Sequence, residues 1–378
     1  MVATRSRVTG IFFILLISQL SACYQQGNKP APTTLNSFAK GIAFDNDDNL
    51  YIATVSGNIF RHDGDKLHNI IAKGTAGLDL AESVRYAQGT LYIHNKRYAG
   101  PEQGYVDEIL LFNTDGEFID QLVTETDIQG KNFIDISVNA TAQLFSLTDA
   151  NTARIFRINQ NKFDLSKFDL ASEPEFTDLL NQYAGLAEAV NPQQTESPVA
   201  TDTDTVVLIQ QHLGEENTSQ IDNLDIGIVE TSVNTLPALF FTPTGITTDT
   251  VDNIYVSFLQ GVYKFTANGR FIKPIVNMDE HGFNMTNKMT VDPYGNLVVA
   301  NMLITEESTQ LNFLKFDADG NYLGVFIPAG AGGIGNSIQD IAFDSAGNFY
   351  IVDMLKGVYK FDSSGQFDSL LLKTYERK

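Results

Sequence analysis

The chain has 378 residues, of which 46 are acidic and 25 are Lys or Arg, so its formal net charge is −21. Hydrophobic residues make up 43% and charged residues 19%, a composition that can bury a core and excludes a disordered chain. The acidic excess argues against nucleic acid as a partner, because phosphate backbones are bound by clustered Lys and Arg. We therefore expect a globular protein, with two or three domains or one large ring of repeats.

The N-terminus has the pattern of a secretion signal over residues 1–22. Arg5 and Arg7 precede an apolar run at 11–17, which is far shorter than the ~20 residues that span a bilayer. The tetrad Leu-Ser-Ala-Cys at 20–23 follows and resembles the bacterial lipobox, in which the cysteine is acylated before cleavage. The resemblance implies that Cys23 carries acyl chains such as palmitate. The alternative is a chance cysteine in an ordinary signal peptide.

Anchoring at Cys23 would determine both the location of the protein and the chemistry available to it. Cys23 is the sole cysteine, so the mature chain has no thiol for a disulfide or for nucleophilic catalysis. Residue 24 is Tyr, not the Asp that the same resemblance associates with retention at the inner membrane. We expect a monomer anchored in the outer membrane through its acyl chains and facing the periplasm, with the cell surface as the other orientation. Residues 23–39 would form the lipidated tether.

Internal repeats predict the fold. Four segments align without gaps and have the sequences GIAFDNDDNLYIAT (41–54), GITTDTVDNIYVSF (245–258), KMTVDPYGNLVVAN (288–301) and DIAFDSAGNFYIVD (340–353). Weaker copies begin at 83, 135 and 198, which gives seven unit starts at 41, 83, 135, 198, 245, 288 and 340. Each unit has two short apolar strands around an Asp/Asn/Gly turn, and most units have a second hairpin after them.

Four strands in each of seven units predict an all-β protein, a β-propeller of seven four-stranded blades over residues 40–372, with a tail at 373–378. The spacing and turns resemble the NHL-repeat and gluconolactonase-like propellers, which commonly have six blades. One insertion has a capping-box form at 172–175, and apolar residues then recur at helical spacing. We expect a helix over 173–190 between the third and fourth units, with its apolar stripe serving as satellite core or as a partner-binding ridge.

Several motifs resemble metal-binding, nucleotide-binding or catalytic motifs, but their sequence context favours structural roles in turns, loops and strands. The aspartate-rich turns at 45–49 and 317–321 lack the Gly and Glu positions of an EF-hand, so we interpret them as hairpin turns. The glycine run at 330–335 precedes a predicted strand, whereas a dinucleotide site needs a helix there, so we expect a flexible loop near the axis. The sequence has no Gly-x-Ser-x-Gly motif. His94 is the one basic group beside the predicted site, and strand alternation directs it away from the axis.

Propeller geometry predicts a ligand site at one axial mouth. Loops that enter the first strand of a unit and loops that leave its second strand open on the same face. The resulting predicted ligand-binding set is Glu82, Asn95, Asn287, Asn301, Gln339 and Asp353. Residues 287–300 are similar to a gluconolactonase segment whose leading aspartate coordinates the metal, and this chain has Asn287 at that position. The resemblance implies a possible divalent cation such as Ca²⁺ on Glu82, Asn287, Asn301 and Asp353.

We therefore expect a lipid-anchored propeller that binds a protein or small-molecule ligand and has no catalytic residues or fixed cofactor. The alternative is a metal-dependent, lactonase-like hydrolase at the same axial mouth. A purely structural spacer is a third class, and it would have no preferred binding face. The missing acid at position 287 weakens the hydrolase, because both metal affinity and general-base chemistry depend on such groups.

Overall fold

A computed structural model describes the chain from Thr33 to Thr374 with interruptions. The segments outside the described residues are 1–32, 124–132, 140, 142–143, 149–153, 159–165, 170–173, 177, 180–242, 259–260, 279, 287, 305–307 and 375–378.

The described strands form six sheets, five with four strands and one with five. Blade 1 contains β2 (Ala39–Phe44), β3 (Leu50–Thr54), β4 (Ile59–His62) and β5 (Leu67–Ile71). Blade 2 contains β6 (Leu80–Ala87), β7 (Thr90–Tyr98), β8 (Tyr105–Asn113) and β9 (Phe118–Val123). Blade 3 contains β10 (Phe133–Val138), β11 (Leu144–Thr148), β12 (Arg154–Ile158) and β13 (Ser166–Asp169).

The second half of the ring repeats this plan. Blade 4 contains β14 (Pro243–Thr248), β15 (Ile254–Phe258), β16 (Gly261–Phe265) and β17 (Phe271–Asn277). Blade 5 contains β18 (Lys288–Val291), β19 (Leu297–Ile304), β20 (Thr309–Phe316) and β21 (Tyr322–Ile327). Blade 6 contains β22 (Ile338–Phe343), β23 (Phe349–Asp353), β24 (Gly357–Phe361) and β25 (Phe367–Thr374), with β1 (Thr33–Leu35) added parallel to β25.

The first strands of the six blades line the axis, and each contacts the first strand of the next blade around a closed ring. The predicted all-β propeller with four-stranded blades is thereby confirmed. The predicted number of seven blades is wrong for the described ring, because blades 3 and 4 are direct neighbours. The Ser137 hydroxyl of β10 forms a 3.1 Å hydrogen bond with the Thr248 hydroxyl of β14.

The unit predicted to begin at Pro198 lies outside the described residues, and the described first strands of blades 3 and 4 contact each other directly. Apolar alternation in that segment matches a strand pattern, but ring closure depends on contacts between distant strands. The six other predicted unit starts fall within or at the beginning of β2, β6, β10, β14, β18 and β22.

Buried residues in the described part of the chain form six clusters, and five of them lie between two neighbouring blades. The sixth joins blade 4 to Phe176, with Ile134 of blade 3 packed against it. A helix begins in the predicted insertion, where residues 174–176 and 178–179 are helical. Its Phe176 is buried on blade 4, 5.2 Å from the Phe265 ring and 5.1 Å from the Tyr263 ring, so this position serves as satellite core. The rest of the predicted 173–190 helix lies outside the described residues. No helix among the described residues is long and apolar enough to cross a membrane.

The chain ends differ in detail from the prediction. Thr33–Leu35 form β1, although the sequence suggested a tether through residue 39, and the last strand continues to Thr374, beyond the predicted end at 372. Leu35 is buried against blades 6 and 1, and its pairing partner Thr374 lies more than 300 residues away in sequence. The segment before residue 36 is rich in Thr and follows two prolines, and nothing in its local sequence pattern predicts a strand that pairs with the end of the chain.

Charged side chains occupy the axis between the first strands. Arg85 of blade 2 donates to Asp340 of blade 6 at 2.6 Å, to Asp135 of blade 3 at 3.4 Å and to the Ile136 carbonyl at 3.1 Å. Burial opposes the charge of Arg85, but the attraction of Asp340 and Asp135 outweighs it and raises the pKa of the guanidinium above its usual value. The ion network therefore keeps Arg85 charged.

The same two carboxylates extend the network to the remaining blades. Asp340 accepts the Ile42 N–H of blade 1 at 2.9 Å, and Asp135 accepts the Ile246 N–H of blade 4 at 3.4 Å. Lys288 of blade 5 lies 3.9 Å from the Asp135 carboxylate. A first strand has a free edge toward the axis, whose backbone groups need partners. One charged network thus reaches all six blades.

We predict that Arg85→Met destabilises the fold by about 3–5 kcal/mol, because it leaves two buried carboxylates without their shared cation. Urea unfolding followed by circular dichroism would measure the change. The matched control is Arg270→Met, at an exposed hairpin position of blade 4, which we expect to change stability by less than about 0.5 kcal/mol. Equal losses in the two variants would contradict the axial role.

Candidate ligand-binding site

The two ends of the propeller differ in their connections. In each antiparallel blade, the connections between strands one and two and between strands three and four lie at one end, which we call the turn end. The connections between strands two and three and those between blades lie at the other, which we call the loop end. The predicted axial mouth is at the loop end.

Two of the predicted mouth residues, Glu82 and Gln339, lie at β-bulges. The pairing register shifts at residues 40, 82, 134, 244 and 339 of the first strands. A bulge inserts one extra residue and redirects its side chain. Glu82 thereby meets Lys40 of blade 1 at 3.3 Å, and both side chains are about one quarter exposed. This pair links two blades at the loop end.

Three other predicted residues, Asn95, Asn301 and Asp353, lie in the second strands and are fully buried; Asp353 ends its strand, whereas β7 and β19 continue three residues beyond Asn95 and Asn301. Each accepts a backbone N–H from the loop that enters its own blade. The donors are Asp79 for Asn95 at 2.8 Å, Asn284 for Asn301 at 2.8 Å and Gly335 for Asp353 at 2.8 Å. The side-chain oxygens are therefore used to hold the interblade loops.

The glycine run at 330–335 belongs to one of these loops. Three interblade loops contain a short 3-10 turn, at Thr75–Gly77, Glu280–Gly282 and Ala331–Gly333. The central residue of each has a positive φ, which is 62° at Gly332. Gly330 and Gly333 also have positive φ, a conformation that glycine adopts without steric cost. The run is thus explained by a defined turn that Asp353 holds.

The predicted cation ligands do not form an acidic cluster in the described part of the chain. Among those residues, no group of three or more His, Cys, Asp or Glu side chains is placed to hold a metal ion. Asn301 Nδ2 donates to the Gly282 carbonyl at 3.0 Å and to Asn312 Oδ1 at 2.9 Å. Asn287 lies outside the described residues. Any cation would compete with these internal hydrogen bonds.

His94 lies within the interface between blades 2 and 3. Its Nε2 is 2.5 Å from Asp107 Oδ1, and its ring packs edge-on against Phe133 of β10 at 5.5 Å. The Phe133 N–H donates to the other Asp107 oxygen at 3.2 Å. Both His94 and Asp107 are 3% exposed, so the pair joins two blades and does not face solvent.

The turn end contains an axial cavity of about 390 Å³ that the sequence did not predict. Turns between the first and second strands of five blades line it, so it lies on the axis at the end opposite the predicted mouth. Its lining residues are Phe44, Asp45, Asn46, Val138, Asn139, Thr248, Asp249, Thr250, Val291, Asp292, Pro293, Phe343, Asp344 and Ser345.

A repeated hydrogen-bond cluster shapes the cavity wall. In blade 4, Asp249 accepts the N–H groups of Val251 at 3.0 Å and Asn253 at 2.8 Å, the Asn253 side-chain amide at 2.8 Å and the Tyr255 hydroxyl at 3.3 Å. Blades 1 and 6 repeat the cluster with Asp45, Asn49 and Tyr51 and with Asp344, Asn348 and Tyr350. The interpretation of these aspartates as hairpin-turn residues is confirmed.

The clusters change the acidity of their members. Burial, together with the adjacent aspartate, raises the pKa of Tyr51, Tyr255 and Tyr350 well above the usual value. In blade 5, burial opposes ionisation of Asp292, but hydrogen bonds from Lys315 at 2.8 Å and Asn296 at 2.9 Å outweigh it and lower the Asp292 pKa. The phenols are therefore held neutral, and the Asp292 carboxylate is held ionised.

The sequence contained a signal for this wall. Asp, Asn and Tyr recur at positions i, i+4 and i+6 in three units, which is the spacing of the observed cluster. The signal identifies the turns, but it does not show that five of them surround one cavity. That arrangement depends on the number of blades and on the axial packing.

We predict that stability is fully present below about pH 10 and is lost as pH rises further, because unfolded tyrosines ionise there while Tyr51, Tyr255 and Tyr350 resist ionisation in the folded state. Urea unfolding between pH 8 and 11 would measure the loss. Tyr255→Phe should reduce the slope with which the free energy of unfolding decreases above pH 10, by at most about 1.4 kcal/mol per pH unit. Tyr294→Phe, at a 75% exposed position, should leave it unchanged. Identical slopes in both variants would contradict the prediction.

No protein-family model matches this sequence, and a comparison with curated protein sequences found no match. Solved structures resemble the fold at low identity. A protein of unknown function from Bacteroides thetaiotaomicron is 14% identical with a TM-score of 0.49, over 89% of this chain and 72% of that one. A luciferin-regenerating enzyme is 12% identical with a TM-score of 0.48, over 89% and 96%. YCF48 bound to a D1 peptide is 10% identical with a TM-score of 0.46, over 89% and 83%. At such identities the likeness concerns the fold alone.

Proposed function

We propose that this chain is a lipid-anchored propeller of the outer membrane that binds a partner at its turn end and catalyses no reaction. The observation that carries the proposal is the 390 Å³ axial cavity, to which five blades contribute. Concave axial sites with a few convergent polar groups are where rigid scaffolds bind ligands. The rigid hairpin clusters around it preorganise the wall, which lowers the entropic cost of binding.

The anchor proposal rests on Cys23 and its lipobox-like tetrad. Nine residues separate Cys23 from Thr33, the first residue of β1, so the ten Cα–Cα steps between them span at most about 35 Å. β1 is the outermost strand of blade 6. An acylated Cys23 would therefore keep the propeller close to the membrane surface, attached through one outer edge. Tyr24 supports the outer membrane as the site of anchoring, and the periplasmic face as the working orientation.

The ring of six blades also supports the resemblance to NHL-repeat and gluconolactonase-like propellers, since those families commonly have six. The resemblance extends to architecture more than to activity. A lactonase-like hydrolase would need Asn301 and Asp353 to exchange buried hydrogen bonds for a cation. It would also need a base near the metal-bound water, and His94 is already paired with Asp107 between two blades.

We predict that Cys23→Ser moves the protein from the membrane fraction to the soluble periplasmic fraction, because acyl chains are its proposed attachment. Fractionation with immunoblotting and metabolic labelling with a palmitate analogue would measure this. The matched control is Ser21→Thr, which keeps the cysteine and a small polar residue before it. A Cys23→Ser protein that stays in the outer membrane, with no acyl label on the wild type, would refute the anchor.

We predict no hydrolysis of gluconolactone by the purified chain with added calcium, zinc or manganese, since two of the predicted metal ligands, Asn301 and Asp353, hold loops and Glu82 pairs with Lys40. A pH-stat assay against a known lactonase as positive control would test this. Hydrolysis that is abolished both by a chelator and by Glu82→Gln would replace the binding proposal with the enzyme.

A further inference from the structure

The described residues at the two ends of the propeller differ in charge. In the described turns of the turn end, 14 side chains are acidic and 2 are basic, Lys66 and Arg270. The described connections of the opposite end have 5 acidic and 2 basic side chains. Among the described residues, the acidic side chains are therefore concentrated at the turn end, where the cavity opens. A field of this sign attracts cationic partners and repels anionic ones.

The two sides of the cavity differ in how their aspartates are neutralised. On one side, Asp249 lies 3.4 Å from Lys264 and Asp292 lies 2.8 Å from Lys315. On the other side, the carboxylates of Asp45 and Asp344 receive hydrogen bonds from backbone N–H, Asn and Tyr groups. Within the described residues, neither has a cation within 4 Å. Uncompensated negative charge thus lies on the side formed by blades 1 and 6.

The side formed by blades 4 and 5 has apolar groups exposed at its rim. Tyr294 is 75% exposed and Val251 is 74% exposed, and each is adjacent in sequence to a lining residue, Pro293 and Thr250. Exposed aromatic rings attract cations and support the aliphatic stems of long charged side chains. The rim therefore combines an apolar platform with an acidic side across the cavity.

We infer that the cavity receives a Lys or Arg side chain from a basic segment of a partner protein. This inference rests on the proposed binding function and adds the chemical class of its partner. The cationic head would lie toward Asp45 and Asp344, and the aliphatic stem would cross the rim near Tyr294. The acidic turns that surround the cavity favour a peptide with several basic residues over a single free amine, because they extend the attraction beyond one pocket.

The test is a titration of the purified full-length chain in detergent with an acetylated, amidated peptide of Gly-Ser-Lys repeats. The same peptide with Gln in place of Lys is the neutral probe, and spermidine is the free-amine probe. The sequence contains no tryptophan, so Tyr294→Trp supplies a single fluorescence reporter that keeps an aromatic ring at the rim. Isothermal calorimetry on the unmodified chain would check the affinity.

We expect the Lys peptide to bind at least tenfold more tightly than the Gln peptide, and less tightly as salt rises. Thr250→Phe, which fills the cavity from its rim, should weaken binding at least tenfold, and Asp47→Asn should weaken it severalfold. Glu102→Gln, on the loop end, is the matched control for charge and should have no effect. Circular dichroism would establish that each variant is folded.

Three results would overturn the inference. Equal binding of the Lys and Gln peptides would keep a binding module but remove the cationic partner. Lys-peptide binding that Thr250→Phe does not weaken would move the site away from the cavity. Spermidine binding as tightly as the peptide would assign the site to a free amine. The lactone assay tests the proposed binding function separately from the choice of partner. Chelator-sensitive hydrolysis in that assay would show that the chain is an enzyme and would remove the binding proposal itself.

Discussion

The structure depends on how the free edges of its innermost strands are satisfied. Six first strands surround the axis, and each has backbone groups on one edge that no neighbouring strand can pair. Arg85, Asp135 and Asp340 supply partners to backbone groups of blades 1, 3 and 4, and Lys288 of blade 5 lies 3.9 Å from the Asp135 carboxylate. Because those charges are mostly buried, they stabilise the ring only as a complete set. Close packing between the first strands of blades 1 and 2 also stabilises the ring. A Cβ atom at Gly41 would lie 2.7 Å from the Ser83 Cα, which is closer than two carbon atoms can approach, so this position requires glycine.

This axial network divides the molecule into two ends with different properties. At the loop end, Asn95, Asn301 and Asp353 are buried and hold the interblade loops by backbone hydrogen bonds. At the turn end, Asp-Asn-Tyr clusters brace the hairpins, so that the wall is rigid while the space between the hairpins is open. The proposed function therefore belongs to the turn end, where polar groups surround a cavity and do not fill it.

The sequence predicted what is encoded locally. The Asp/Asn/Gly turns, the alternating strands and the aromatic pairs that flank the second hairpins, such as Phe265 and Phe271, all lie within one unit. The number of blades could not be read this way, because it is determined by contacts such as Asp135 with Ile246, 111 residues apart. Pro198–Gln211 had a strand-like pattern, but a pattern alone does not show whether neighbours leave room for a blade.

The site prediction shows a related limit. The sequence predicts Asn301 and Asp353 as ligands because they are polar and the repeat pattern assigns them to the ends of second strands near the axis. In sequence, a polar residue with internal hydrogen-bond partners looks the same as one that faces a ligand. The partners of Asn301 and Asp353 are backbone groups of loops 17 and 18 residues away. Arg85 went unnoticed for the same reason, since its partners Asp135 and Asp340 are 50 and 255 residues distant.

The central claim is that one charged network at the axis couples the blades. Native-state hydrogen exchange of the Ile42 and Ile246 amides tests it most directly, because each donates to a different carboxylate of the network, in blades 1 and 4. The account predicts slow exchange of both amides in the wild type and faster exchange of both in Arg85→Met, although Arg85 contacts neither. Unchanged protection of either amide in that variant would contradict the coupling.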